Sequence, residues 1–148
     1  MSWFDSEARP IPYWMTRAGV RRLVGWSLVA AWLVVVWQFG ESQALLVTAT
    51  TGPVRLLARK GLHVVVYGLL ASLLTFALGR RRWGWVILFC LLVALGDELH
   101  QEMVPGRHFY VLDLSLDLLG AGLGAVAGGI VVACAADGPS PERTRSDR

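Results

Sequence analysis

Nine side chains in this sequence interrupt apolar surroundings with groups able to bind ions or move protons: Lys60, His63, Tyr67, Asp97, Glu98, Gln101, Arg107, Asp113 and Asp117. Residues three or four apart share a helix face. Lys60, His63 and Tyr67 therefore form one stripe, Glu98 and Gln101 a second, and Asp113 and Asp117 a third. Two kinds of chemistry suit such a set. Arg107 and Lys60 can hold a phosphate or carboxylate while the acidic residues take sugar hydroxyls or an amine. Alternatively, Glu98 can serve as a catalytic general acid or base with His63 as its proton partner. No serine or cysteine nucleophile with a base accompanies them. A third use, a proton-coupled transporter built on the carboxylates, lacks polar residues for a path through the rest of the helices.

The elements that must position these groups are legible in the composition. Of 148 residues 55% are hydrophobic and 17% charged, with a mean hydropathy of +0.51. The apolar residues are massed in runs instead of being spread at helix or strand periods. A bilayer span needs about 20 such residues, so the chain has room for about four spans and not for a large soluble catalytic domain. The runs are Leu23 to Phe39, Leu62 to Gly79, about Trp83 to Gly96, and Leu112 to Ala136. The first is longer than the apolar core of a signal peptide and carries three tryptophans, which points to a retained helix. Gly52-Pro53 resembles a helix cap followed by proline in the first turn, implying a short interfacial helix or an early start to the second span. Trp83 and Trp85 suit an interfacial belt, and Pro105-Gly106 marks a turn. The expected fold is an all-α membrane protein, a four-transmembrane-helix bundle over 23–136. A basic segment, 1–22, precedes it, and a tail, 137–148, rich in Pro, Ser and Arg, is read as disordered.

The net charge of +3 and a pI near 9.3 do not mark a nucleic-acid binder, because the charges flank the apolar runs as topology signals do. Arg9, Arg17, Arg21, Arg22, Arg80, Arg81, Arg82 and the three tail arginines fall on one side, against Arg55, Arg59, Lys60 and Arg107 on the other. Positive-inside counting then makes both termini cytoplasmic and places the whole polar set in the outer leaflet. Ionisable groups at membrane depth face a bundle interior or a wet cavity and pair there, so the set is expected to wall an outward-open polar pocket. Arg107 is the natural partner of the acidic helix ends, and Arg107 or Lys60 should neutralise one of Asp113 and Asp117.

Plainer roles compete for the same residues. His63 could be a satisfied core histidine, Glu98 with Gln101 a solvated helix end, and Arg107 a headgroup anchor. His100 and His108 with Asp97 and Glu102 invite zinc, but no two-histidine helical signature is present and His100 lies off the Glu98 face, so neither metal nor cofactor is expected. Cys90 and Cys134, both inside apolar runs, read as small buried filler. Gly120, Gly124 and Gly128, spaced by four, form a row that lets another helix approach, and a second copy of the chain could pack there.

Taken in order, Lys60-x-x-His63-x-x-x-Tyr67, Asp97-Glu98-x-x-Gln101, Pro105-Gly106-Arg107 and Asp113-x-x-x-Asp117-x-x-Gly120-x-x-x-Gly124 resemble the VanZ-like family of small bacterial membrane proteins. The resemblance covers about residues 60 to 128. It implies a multi-pass protein of the bacterial cytoplasmic membrane and maps the family's polar residues to Lys60, His63, Tyr67, Asp97, Glu98, Gln101, Arg107 and Asp113. The family usually has Asn at the position of Asp117 and a small hydroxyl residue at that of Tyr110. Asp for Asn keeps the acceptor, loses the amide donor and adds a charge. The family takes its name from a protein associated with low-level resistance to the glycopeptide teicoplanin, so the resemblance implies a role in the cell envelope. The partners expected are membrane lipids and an envelope glycolipid or anionic polymer.

Overall fold

The computed structural model describes residues 15–47, 52–103 and 110–136. These form four α-helices and one short 3-10 turn, with no strand among the described residues: α1 (Arg17–Val47), α2 (Pro53–Leu78), α3 (Trp83–Glu102) and α4 (Val111–Ala136), the turn being Arg80–Arg82. Each helix contains a stretch long and apolar enough to cross a membrane: Ala18–Gln38, Lys60–Leu78, Arg80–His100 and Val111–Ala135. The chain is a multi-pass membrane protein. The basic segment before residue 15, the tail from 137, and Thr48, Thr50 and Thr51 lie outside the described residues.

The boundaries follow local signals. Proline stands at the start of α2 after Gly52, and that helix begins well before its apolar run. The early start, not a separate interfacial helix, is therefore what the chain adopts. Gly79, at φ 87°, takes a conformation that L side chains rarely adopt and closes α2 with its N–H on the Thr75 carbonyl at 2.8 Å. The largest departure from the sequence reading is α1, whose 31 residues continue through Glu41 to Val47. At 1.5 Å per residue it is about 46 Å long, well over a hydrocarbon core of about 30 Å. A helix keeps its backbone bonded internally whether lipid or water surrounds it, so polar residues end a span without ending the helix.

The most extensive contact in the bundle is between α2 and α4. A Cβ on Gly120 would meet the Val64 backbone, one on Gly124 the Gly68 carbonyl, and one on Gly128 the Ser72 carbonyl. The pairs advance together by four residues, so α2 and α4 run parallel with their backbones in contact. Small residues permit this where lipid supplies no hydrophobic drive between helices. Ser72 Oγ crosses the seam to donate to the Gly124 carbonyl at 2.8 Å. The glycine row is thus taken up within the chain, and that face is not left open to a second copy.

Helix α1 lies antiparallel against α2, with Gly25 set on Ala77 and Trp32 Nε1 donating to the Val66 carbonyl at 3.0 Å. The core contains Val29, Leu70, Leu74, Val86, Cys90 and Ala94, while Leu92, Leu119, Leu123, Val126 and Ile130 face outward. Cys90 is the buried filler expected of it, but Cys134 is exposed on the outer face of α4; both are free thiols. An apolar exterior over an apolar interior is the arrangement lipid requires.

Candidate functional site

The antiparallel connection through Gly79 puts the start of α2, the end of α3 and the start of α4 at one end of the bundle. That end gathers the polar side chains. His63 and Tyr67 stand one turn apart on the inner face of α2, Glu98 on α3 faces them, and Asp113 and Asp117 look in from α4. All five are at most 3% exposed. Asp97 is half-buried beside Glu98, and Lys60 is partly exposed at the rim. The sequence reading expected an outward-open pocket. In the described residues the stripes meet as a buried polar cluster, drawn together by the tight α2–α4 seam.

Two pairs organise it. Lys60 Nζ donates to Asp113 Oδ1 at 3.0 Å, an ion pair between α2 and α4. His63 Nδ1 lies 2.8 Å from Asp117 Oδ1, fully enclosed. Asp113 and Asp117 share a helix face but take different partners, which relieves their mutual repulsion. Lys60 is therefore the neutralising cation for Asp113. Arg107, the other candidate, lies outside the described residues, as does the Gln101 side chain.

Glu98 is held differently. Its Oε2 accepts the backbone N–H of Tyr110 at 3.3 Å, just before α4 begins. Spacing of side chains could not have indicated this bond, since the donor is a main-chain group twelve residues on. His63, Asp97, Asp113 and Asp117 lie within electrostatic reach of one another, and Glu98 faces His63 and both α4 carboxylates. Tyr67 faces Asp97, Glu98 and Asp117.

Three buried atoms in this cluster have no hydrogen-bond partner among the described residues: His63 Nε2, Tyr67 Oη and Glu98 Oε1. An unpaired buried polar group costs about 1–3 kcal/mol. Three in one cluster are therefore unusual in a packed interior. An ionised Asp117 can only accept, which puts a proton on Nδ1 of His63; Nε2 is then an acceptor on the neutral ring and a donor on the charged one. The three atoms together offer a ring nitrogen, a donor-acceptor hydroxyl and a carboxylate oxygen, a set suited to hydroxyls, amines or a protonated headgroup.

His100 is placed elsewhere. Its ring lies against Trp37 of α1, with centroids 4.7 Å apart, and Glu102 is exposed. His108 lies outside the described residues. Among the described residues no group of three or more His, Cys, Asp or Glu is arranged to hold a metal ion.

Compared with known families, residues 8–132 match VanZ/LLP1. The chain belongs to that family. The match covers most of the sequence and takes in α1, beyond the motifs that carry the resemblance. The comparison with curated proteins returns no match, and the comparison with solved structures returns none either. For this VanZ-like protein the polar cluster therefore has to be understood from its own geometry.

Proposed function

We propose that this VanZ-like protein lies in the bacterial cytoplasmic membrane with both termini inside, and that its outward polar cluster binds a cell-envelope lipid headgroup, glycolipid or anionic polymer. Through that binding it contributes to glycopeptide resistance of the teicoplanin type. The binding residues are Lys60, His63, Tyr67, Asp97, Glu98, Gln101, Arg107, Asp113 and Asp117. The observation that carries the reading is the trio of unpartnered atoms on His63, Tyr67 and Glu98, buried at the end of the bundle that also bears Lys60. A ligand hydroxyl or amine reaching them would satisfy groups that otherwise stay orphaned. The distribution of Lys and Arg about the spans supports the orientation.

The test is teicoplanin susceptibility of a sensitive host carrying wild type, Glu98→Gln or Arg107→Ala, each normalised to its abundance in the membrane. Protection by wild type and its loss in both equally abundant variants is the expected result. Protection undiminished in both variants removes the cluster from the function, and wild type behaving like empty vector removes the resistance role.

A second reading is favoured by one contact. The His63–Asp117 pair, with Nε2 free, has the form of a histidine oriented by a carboxylate to accept a proton. With Glu98 as the opposing acid or base, the cluster would act on a lipid-linked envelope substrate. Turnover of labelled envelope lipids in proteoliposomes, lost in Glu98→Gln, would establish it; equal turnover by that variant would dismiss Glu98 as catalytic.

A further inference from the structure

The opposite end of the bundle holds a second feature, unrelated to the polar cluster. Helices α1 and α3 touch only sparsely, and the gap between them is a groove of about 340 Å³. Its walls are apolar, formed by Trp26 of α1, Leu78 of α2, and Leu88, Phe89 and Leu92 of α3. Arg82 and Trp85 stand at its mouth. Arg82 ends the turn that leads into α3, and Leu92 lies ten residues further on, about 15 Å along the helix axis. That is half of a hydrocarbon core of about 30 Å, so the groove has the depth of one leaflet.

Among the described residues charge at this end is of one sign. Arg21, Arg22, Arg80 and Arg81 accompany Arg82, whereas Asp97, Glu98, Glu102, Asp113 and Asp117 belong to the end of α3 and the start of α4, at the far end of the bundle. Arg82 forms no ion pair among the described residues, and Arg21 Nε is buried without a partner among them. A guanidinium at headgroup height above a leaflet-deep apolar slot matches a molecule with a phosphate at one end and an alkyl chain at the other. Trp85 beside it suits the interfacial zone.

We propose that the α1–α3 groove is a specific seat for an anionic glycerophospholipid of the leaflet at the Arg80–Arg82 end. One acyl chain lies along Trp26, Leu88 and Leu92, and the phosphate rests on Arg82. Arg82 sets the preference for anionic headgroups, and the slot supplies affinity common to any phospholipid.

The full chain, purified in detergent and titrated with phosphatidylglycerol or phosphatidylcholine of identical acyl chains, tests this by native mass spectrometry. Both lipids present a phosphate to Arg82, but the choline cation of phosphatidylcholine is repelled by the guanidinium that holds the phosphate, so wild type should retain phosphatidylglycerol about tenfold more tightly. Arg82→Gln should bring the two lipids level, Arg81→Gln should keep the preference, and Leu92→Trp, which fills the deep end, should weaken both. Equal retention of the two lipids by wild type overturns the proposal. So does an equal loss in Arg81→Gln and Arg82→Gln, which would reduce the effect to surface charge, or unchanged binding in Leu92→Trp.

Discussion

Asp113 and Asp117 stand one turn apart on α4 yet do different work. Asp113 meets Lys60 at the rim, where part of the lysine reaches solvent, whereas Asp117 meets His63 in full enclosure. For Asp117 the essential property is acceptance of the His63 Nδ1–H, which an amide oxygen also provides. Asn, the usual residue of the family pattern at this position, should therefore serve. Thermal unfolding of the detergent-solubilised protein should show Asp117→Asn close to wild type and Asp117→Ala lower by about 1–3 kcal/mol, the cost of orphaning a buried donor. If Asn falls as far as Ala, the pair depends on charge and not on the hydrogen bond. The stripes on each helix were legible from residue spacing, but the pairing between helices was not. Periodicity states which face a residue occupies and nothing about the register of the neighbouring helix, so Lys60–Asp113 and His63–Asp117 emerge only when α2 and α4 are set side by side.

At the scale of elements, that register is set by the glycine row. Gly124 has no room for a side chain against the Gly68 carbonyl, while Gly122, two residues away, has nothing within 4 Å of where a Cβ would lie. Gly124→Ala must push α2 and α4 apart, at about 1–3 kcal/mol of strain, and it should also disturb His63–Asp117. Gly122→Ala should be neutral or stabilise slightly, since Ala favours a helix over Gly by about 1 kcal/mol. Equal unfolding midpoints for the two variants would show that the seam is looser than described. The spans were readable because lipid selects apolar runs of fixed length, and the turn at Gly79 because arginines interrupt one. The extent of α1 was not, as Glu41 to Val47 carry no breaker and a helix does not stop where hydrocarbon does.

For the whole molecule, the two ends of the bundle are chemically opposite: a carboxylate-rich buried cluster at one, an arginine-rich end with an apolar groove at the other. Positive-inside retention is the basis of the proposed orientation, with the arginine-rich end inside. Cysteine placed by Arg81→Cys or Met103→Cys, in a chain with Cys90 and Cys134 replaced by alanine, reports it. In intact cells a membrane-impermeant thiol reagent should label position 103 and spare 81, and the reverse pattern would place the polar cluster inside. On the proposed function, the atoms left unpaired on His63, Tyr67 and Glu98 await an envelope ligand. Mass spectrometry of the lipids and glycolipids retained by purified wild type and by Glu98→Gln at equal yield tests it most directly. An envelope species should be held by wild type and absent from the variant, against a background of ordinary phospholipid common to both. Identical profiles from the two proteins would contradict it.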